Sequence, residues 1–472
     1  MKQLLALAWS VALSACSLAP ELPDPALEVP AAYKETSAPV SGDWKIAAPA
    51  DGAERGAWWA VFGDPVLDEL MREATARNQN LQAALARVEQ TRAQVRVAKA
   101  TQWPRLDLGA GGARVQPNSV PPVFGAGVRD PYSTLSARVA ASYELDLFGR
   151  VRDAVQAARA DLAAERALFA SMVLALQSDA AETYFLVRAA DDELAILRGT
   201  VKLREEAVRL LQRRVNAGDI SEFDLKRQTA DLEAARADVH ALERTRAQYE
   251  HALAVLCGQA PASFTLVPLK VARNLPDIPA GVPSTLLERR PDIAAAARRM
   301  VAANARIGVA KAAFYPVLNL TADFGVEASS LGDLFKWSSR TWALGPIAGA
   351  LLSLPIFDGG RNAANLAARE AALEAGIADY RQTVLNAFAE VEDGLSGLRT
   401  LAAQAAALHA ATGAADEAFA IAKVRYEAGA TGYLDVLDAR RTLIGVKRLD
   451  AQVYGARAAT TVALIRALGG GW

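Results

Sequence analysis

Asp435 and Asp438 stand three residues apart where a helical pattern opens, so both carboxylates can project from one helix face. Repeated around a symmetric assembly, the pair would form a ring of negative charge that resists closer packing and selects among ions. In a lone chain it would only stabilise a helix N-terminus, by about 0.3 to 1 kcal/mol for each residue. Little else in the sequence offers chemistry. His240 and His251 are eleven residues apart on one helix, too far to share a metal, and His409 stands alone. Two cysteines, Cys16 and Cys257, cannot build a disulfide framework. No phosphate-binding loop or nucleophile elbow occurs. A formal charge of -1 with no basic stretch interleaved with aromatics gives no footprint for nucleic acid. The expectation is a protein with no catalytic site, no metal and no nucleic-acid partner.

The elements that position these residues begin at the N-terminus. Lys2 is the only charge before Glu21, and the apolar run Leu4 to Leu13 is too short to span a bilayer, which reads as a secretory signal peptide. It ends Leu13-Ser14-Ala15-Cys16, similar to the bacterial lipobox in which the cysteine is lipidated and becomes the first residue. Ordinary cleavage beside a chance cysteine is the alternative. Ser17 stands where an inner-membrane-retention signal would put Asp, which by analogy with bacterial lipoproteins sends the chain to the outer membrane. Six prolines between Pro20 and Gly56 then favour an extended tether or wrapping arm, with Trp44, Trp58 and Trp59 as points where it packs.

The remainder reads as two copies of one unit. Ala98-Lys99-Ala100-Thr101-Gln102-Trp103-Pro104 recurs as Ala310-Lys311-Ala312-Ala313-Phe314-Tyr315-Pro316, and Phe148-Gly149-Arg150 answers to Phe357-Asp358-Gly359-Gly360-Arg361. Arg214-Val215-Asn216-Ala217-Gly218 recurs as Arg425-Tyr426-Glu427-Ala428-Gly429, and Phe223-Asp224-Leu225 as Leu434-Asp435-Val436, offset by 211 residues at the glycines. In each copy a period-2 stretch precedes a long helical run. Leu135, Ala137, Val139, Ala141, Tyr143, Leu145 and Leu147 alternate with polar or small residues, as do Leu318, Leu320, Ala322, Phe324 and Val326. The return strand of the second copy, read over Trp342 to Phe357, alternates less clearly. Gly345-Pro346 and Pro355 break that run, which is also shorter than the roughly 20 residues a membrane helix needs.

From Arg150 to about Asn216, and from Arg361 to about Glu427, no proline interrupts an Ala/Leu/Arg/Glu-rich sequence. A continuous helix of that length would be on the order of 100 Å long. After each glycine the chain returns with Leu225, Leu232 and Val239 seven apart, a coiled-coil seam. Two strands per copy make four per chain, too few to close a membrane barrel, so oligomerisation is expected: a dimer gives eight strands and little lumen, a trimer twelve and a usable channel.

These residues resemble the TolC-like outer membrane channel-tunnel (outer membrane factor) family, in its lipoprotein branch serving tripartite efflux systems. The resemblance rests on Cys16 after the lipobox, Tyr315-Pro316, Arg425-Tyr426-Glu427-Ala428-Gly429, Leu434-Asp435-Val436-Leu437-Asp438-Ala439 and the ending Ala467-Leu468-Gly469-Gly470-Gly471-Trp472. It implies an α+β membrane protein: a homotrimeric channel-tunnel with a 12-stranded barrel in outer membrane lipid and a periplasmic α-barrel of coiled-coil helices. It would passively conduct drugs or other small toxic compounds delivered by an inner-membrane transporter and a periplasmic adaptor (membrane fusion) protein, without enzyme activity or any cofactor beyond the covalent lipid on Cys16. Asp435 and Asp438 match the family's constricting aspartates. Tyr426 matches a tyrosine that latches the closed tip to an aspartate of the other copy, here Asp224. Gly218 and Gly429 would mark the helical tips where the adaptor docks. Thr431 departs from the arginine some relatives place there, which leaves a second latch without its residue.

The expected organisation is a signal peptide 1–15 and a lipidated arm 16–60. A first repeat 61–260 carries a β-hairpin at about 103–148 and a helical hairpin at about 149–258. An equatorial link 261–282 leads to a second repeat 283–472, with the corresponding hairpins at about 314–357 and 360–468. Within the channel class a protein-secretion duct is the alternative, and outside it a pore-less, lipid-anchored periplasmic scaffold.

Overall fold

The computed structural model describes residues 17–25, 27, 30, 32–35, 56–116, 130–269, 275–276, 278, 289–345 and 350–470; Cys16 and Trp44 lie outside them. The elements are α1 (Pro65–Arg77), α2 (Gln79–Ala100), β1 (Arg105–Val115), β2 (Tyr132–Leu145), α3 (Arg150–Asn216) and α4 (Glu222–Leu256). They are followed by α5 (Pro291–Ala312), β3 (Val317–Ala328), β4 (Arg340–Leu344), β5 (Ala350–Ser353), α6 (Arg361–Glu427) and α7 (Tyr433–Ala467). α3 and α6 are each 67 residues, α4 and α7 each 35. Both long helices start at an aspartate. Asp146 accepts from the Val151 and Arg152 N–H groups (3.1 and 2.8 Å), and Asp358 from Gly360 and Asn362 (2.9 and 2.8 Å), which holds the Asp358 carboxyl below its usual range. No helix among the described residues is long and apolar enough to cross a membrane.

The chain divides into two compact units. The first (Met1–Ala26, Arg87–Arg166, Ala295–Arg381) contains the sheet, ordered β1-β2-β3-β4 with β5 also on β3, all pairs antiparallel. Directly paired residues share a face. One face carries the rows Leu106–Ala141–Ala322–Leu344, Leu108–Val139–Phe324–Trp342 and Leu145–Leu318–Leu352. The other carries Asp107–Ala140–Asp323, Arg105–Ser142–Thr321 and Arg138, which is ion-paired to Glu327. Gly325 sits opposite Arg138, and a side chain there would run into the Ala137 carbonyl and the Arg138 backbone.

The fourth strand line differs from the sequence reading. It starts at Arg340, two residues before Trp342, stops at Leu344, resumes at Ala350 and ends at Ser353 rather than Phe357. Leu344 and Ala350 pair with Ala322 and Leu320, so only Thr321 of β3 separates their partners, and Gly345 N–H closes the first piece on the Thr321 carbonyl (3.1 Å). The sequence Gly345-Pro346 marks the break, since proline cannot donate to a ladder.

The N-terminal segment is seated in the same unit. Ser17 Oγ donates to Asp153 Oδ1 (2.7 Å), and Asn304 Nδ2 donates to the Pro20 carbonyl (2.8 Å). A Cβ at Gly308 would collide with the Asp153 carboxylate and the Ala19 nitrogen, so α5 admits the segment only because that residue is glycine. Asp153 is fully buried, with Oδ2 making no hydrogen bond.

The second unit (Leu27–Ala86, Ala167–Ala294, Gln382–Trp472) is helical. Asp64 caps α1 through the Val66 and Leu67 N–H groups (2.9 and 3.3 Å) and accepts the Tyr184 hydroxyl (2.5 Å). Trp58 is buried, and its indole donates to Gln177 (3.2 Å). The segment after α4 is held by charge: Arg188, 1% exposed, donates to the Val267 carbonyl (2.6 Å) and pairs with Asp191, which also binds Arg246 (3.0 Å). Arg290 likewise binds Asp292, Glu390 and the Ala467 carbonyl. The arm residues Lys34 and Glu35 donate their backbone N–H groups to Glu392 (2.7 and 3.0 Å). Leu225, Leu232, Ala235 and Val239 are buried along α4, with Leu242 against Leu194 and Leu197. Cys257 is buried, its thiol pushed up to about 11 by burial and then by Glu73, an unreactive setting.

Burial raises the Asp153 pKa and nearby Asp146 adds to it, against hydrogen bonds from Ser17 and Leu18. A folded value above the unfolded one means that seating is favoured while the carboxyl keeps its proton and weakens as pH rises through the raised value. Asp153→Asn is expected to remove that dependence. The check is hydrogen exchange at Leu18 and Ala19: protection that falls with pH in the wild type and stays flat in the variant.

Candidate functional site

The candidate gate residues lie at the two helical turns of the second unit. α3 ends with Ala217 N–H on the Arg213 carbonyl (3.0 Å) and Asp219 N–H on the Arg214 carbonyl (2.9 Å), around Gly218 at φ +81. α6 ends in the same way, with Ala430 N–H on Arg425 (2.8 Å) around Gly429 at φ +73. This left-handed cap is open to glycine and strained for other residues. Space is open beside both glycines. Ser221 then caps α4 by accepting from Phe223 N–H (3.1 Å), with Asp224 in the first turn. Gly432 precedes α7 without a side-chain cap, and Asp435 falls in its first turn.

Asp435 and Asp438 are exposed and line one cavity of about 280 Å³ between the two helical hairpins. Arg204, Arg227 and Asp231 line it from α3 and α4, and Tyr433, Arg440 and Arg441 from α7. The two carboxylates therefore share their groove with four arginines, and no ion pair to either is made among the described residues. Tyr433 is raised by burial and by Tyr426, with Arg440 opposing; Arg440 is lowered by burial. Tyr426 leans on Tyr433, ring centres 5.2 Å apart. Within one chain no hydrogen bond joins Tyr426 to Asp224 among the described residues. Thr431 Oγ1 is buried without a hydrogen-bond partner. No group of three or more His, Cys, Asp or Glu among the described residues could hold a metal ion.

A second feature of this region escaped the sequence reading. Arg441 binds Asp231 (2.7 Å), and one heptad along Arg448 binds Glu193 (3.0 Å) and reaches Asp238 (3.6 Å). Asp231 and Asp238 are also seven apart, so α4 and α7 face each other through a two-rung charge ladder. The matched heptad spacing of opposite charges was the available signal. At the offset of 211 residues the corresponding positions are Thr442, Leu449, Ala230 and Ala237, so the ladder belongs to one order of the two hairpins only.

The family model described as "Outer membrane efflux protein" matches residues 70–259 and again 282–470. The chain belongs to the outer membrane efflux protein family. OprJ of Pseudomonas aeruginosa, an outer membrane protein, is 37% identical over 478 residues, covering 99% of this chain and 95% of that protein. The toluene efflux pump outer membrane protein TtgF of Pseudomonas putida is 33% identical, covering 99% and 96%. Among solved structures, the open state of the Neisseria gonorrhoeae MtrE outer membrane channel superposes with a TM-score of 0.81 at 31% identity, covering 97% of this chain and 98% of that one. The Campylobacter jejuni CmeC outer membrane channel gives 0.85 at 26% identity, covering 97% and 95%. The chain is thus an outer membrane efflux protein, and its sheet is the element suited to the membrane.

Replacing Asp435 and Asp438 together by Ala is expected to raise single-channel conductance or change cation preference in planar bilayers; no change in either removes them as the constriction. Exposed pairs contribute about 0 to 1 kcal/mol each. Arg441→Ala, which breaks the largely exposed pair with Asp231, is accordingly expected to raise the fraction of time spent in the high-conductance state rather than to unfold the protein, as read from the same recordings.

Proposed function

We propose that the chain is the outer membrane channel of a tripartite efflux pump, acting as a homotrimer that passively conducts drugs or other small toxic compounds handed over by an inner-membrane transporter and a periplasmic adaptor. The observation that carries this is the sheet: four strand lines with one face apolar except for Arg114 and Arg340, one polar face and two edges that have no strand partner among the described residues. Three such sheets supply twelve strand lines, enough for an aqueous lumen lined by the Arg138 face. Leu135 to Leu145 of β2 span about 33 Å along the strand, and about 25 Å at a tilt of about 40°, the height of an outer membrane apolar band.

Signal peptide 1–15 is removed, and Cys16 carries the lipid, one residue before Ser17, which is held by Asp153. The arm, two repeats and link at 261–282 follow as in the sequence reading. Asp435 and Asp438 constrict the periplasmic end, and the turns at Gly218 and Gly429 receive the adaptor, which the open space beside them permits. Tyr426 latches the closed tip to Asp224 of the other copy, its ring resting on Tyr433. The channel carries out no chemistry and needs no cofactor besides the lipid. A sheet face that is apolar except for Arg114 and Arg340 at one end argues against a pore-less scaffold, and the efflux-pump names of the relatives favour small compounds over a protein-secretion duct.

The mass of the membrane-extracted protein, intact and after denaturation, tests the reading. A trimer of acylated chains lacking residues 1–15 is expected; a water-soluble, unacylated monomer overturns it.

A further inference from the structure

The segment joining β3 to β4 is tightly organised, yet it leaves its largest side chains outside. Ser330 Oγ donates to the Asp333 carboxylate (2.7 Å), Ser339 Oγ to the Asp333 carbonyl (2.7 Å) and Lys336 N–H to the same carbonyl (3.0 Å). The Lys336 ammonium pairs with Asp333, and Leu334 is buried. Leu331, Phe335 and Trp337, in contrast, are 71%, 79% and 78% exposed. An ordered loop that presents three large apolar groups marks a surface made for an apolar neighbour. α5 feeds the sheet at Val317 and α6 leaves after Ser353, so connectivity puts this loop at the opposite, outer end of the strands.

Arg340 opens β4 and pairs with Val326, so it shares the apolar face with Ala137 and Ala110. Its guanidinium carbon lies 3.4 Å from the centre of the Trp337 ring, and no carboxylate pairs with it among the described residues. Arg114, in register with Ser133, lies on the same face at the outer end of β1. These two arginines are the only charges on that face of the described strands, and both are at the outer end. On a lipid-facing surface a cation is tolerated near the interface and costs most at the midplane. Immediately inward of Arg340 a trough of about 480 Å³ runs over Leu108, Val139, Phe324 and Trp342, with Phe335 and Arg340 among the residues lining it.

An apolar trough that ends in an unpaired guanidinium fits an acyl chain with an anionic headgroup: the guanidinium offers paired N–H donors matched to phosphate oxygens. We propose that Arg340, Trp337 and Phe335 form, on each chain, a binding site for an anionic, phosphate-bearing lipid of the outer leaflet, with an acyl chain in the trough. Arg340 binds the phosphate, Trp337 holds the guanidinium in place by stacking, and Phe335 covers the chain where it enters the bilayer. The site rests on the membrane orientation of the proposed channel.

Native mass spectrometry of the detergent-extracted, delipidated full-length protein tests this, with three probes added separately: a purified phosphorylated outer-leaflet glycolipid, phosphatidylcholine and inorganic phosphate. The wild type is expected to hold the glycolipid at up to one copy per chain. Arg340→Gln and Trp337→Leu are each expected to weaken binding by about tenfold, the scale of a lost charge-assisted hydrogen bond, and Arg340→Lys to retain part of it. Equal adducts in wild type and Arg340→Gln overturn the site, as do equal adducts with phosphatidylcholine. Displacement of the glycolipid by inorganic phosphate at equal concentration also overturns it, since the site would then be for a free anion. The oligomer mass in the same spectra reports the channel separately: a wild-type monomer breaks the channel reading, whereas an intact trimer with Arg340-independent adducts breaks the lipid site alone.

Discussion

A strand edge cannot be left open in lipid. Each unpaired backbone N–H or C=O in hydrocarbon costs several kcal/mol, and a sheet of four strand lines has two whole edges of them. Closing on itself is not open to so small a sheet, because the lumen of a barrel grows with strand number. Edge pairing between chains is then the way the sheet becomes compatible with a membrane, and trimer and pore follow from one requirement. The alternation of apolar and polar rows across β1 to β5 only makes sense under the same requirement, since a soluble sheet would bury the face that carries Leu108, Val139, Phe324 and Trp342.

Charge does two kinds of work within the helical unit. In the helical unit Arg188 and Arg290 are buried and clamp chain segments through carboxylates and backbone carbonyls. Such pairs contribute modest net stability, but removing one partner strands an uncompensated charge, so they define where the chain runs. The Arg441–Asp231 rung is largely exposed and weak, whereas Arg448 reaches the buried Glu193.

Much of this was legible along the chain. Proline-free, alanine-rich runs fold as the unbroken helices Arg150–Asn216 and Arg361–Glu427, because no residue in them lacks a helix-compatible N–H. The glycines at 218 and 429 end them, since the turn needs a positive φ. The alternation of Leu135 to Leu145 gives the strand and its apolar side. The return strand was less readable: the break at Gly345 and the restart at Ala350 depend on which β3 residues are already paired. Asp435 and Asp438 were legible as a pair, but Arg204 and Arg227, which share their groove, were not, because they come from helices about two hundred residues earlier.

Local pattern by itself determined the helices, their glycine turns, the strand faces and the need for more than one chain, because each rests on periodicity or on the conformational limits of single residues. Only tertiary structure decided that Gly308 makes room for the N-terminal segment beside Asp153, that Arg188 and Arg290 lie buried, and that Arg340 stacks on Trp337 beside an apolar trough. Those are juxtapositions of distant or differently directed side chains, and their energies depend on distance and burial, which no one-dimensional spacing encodes.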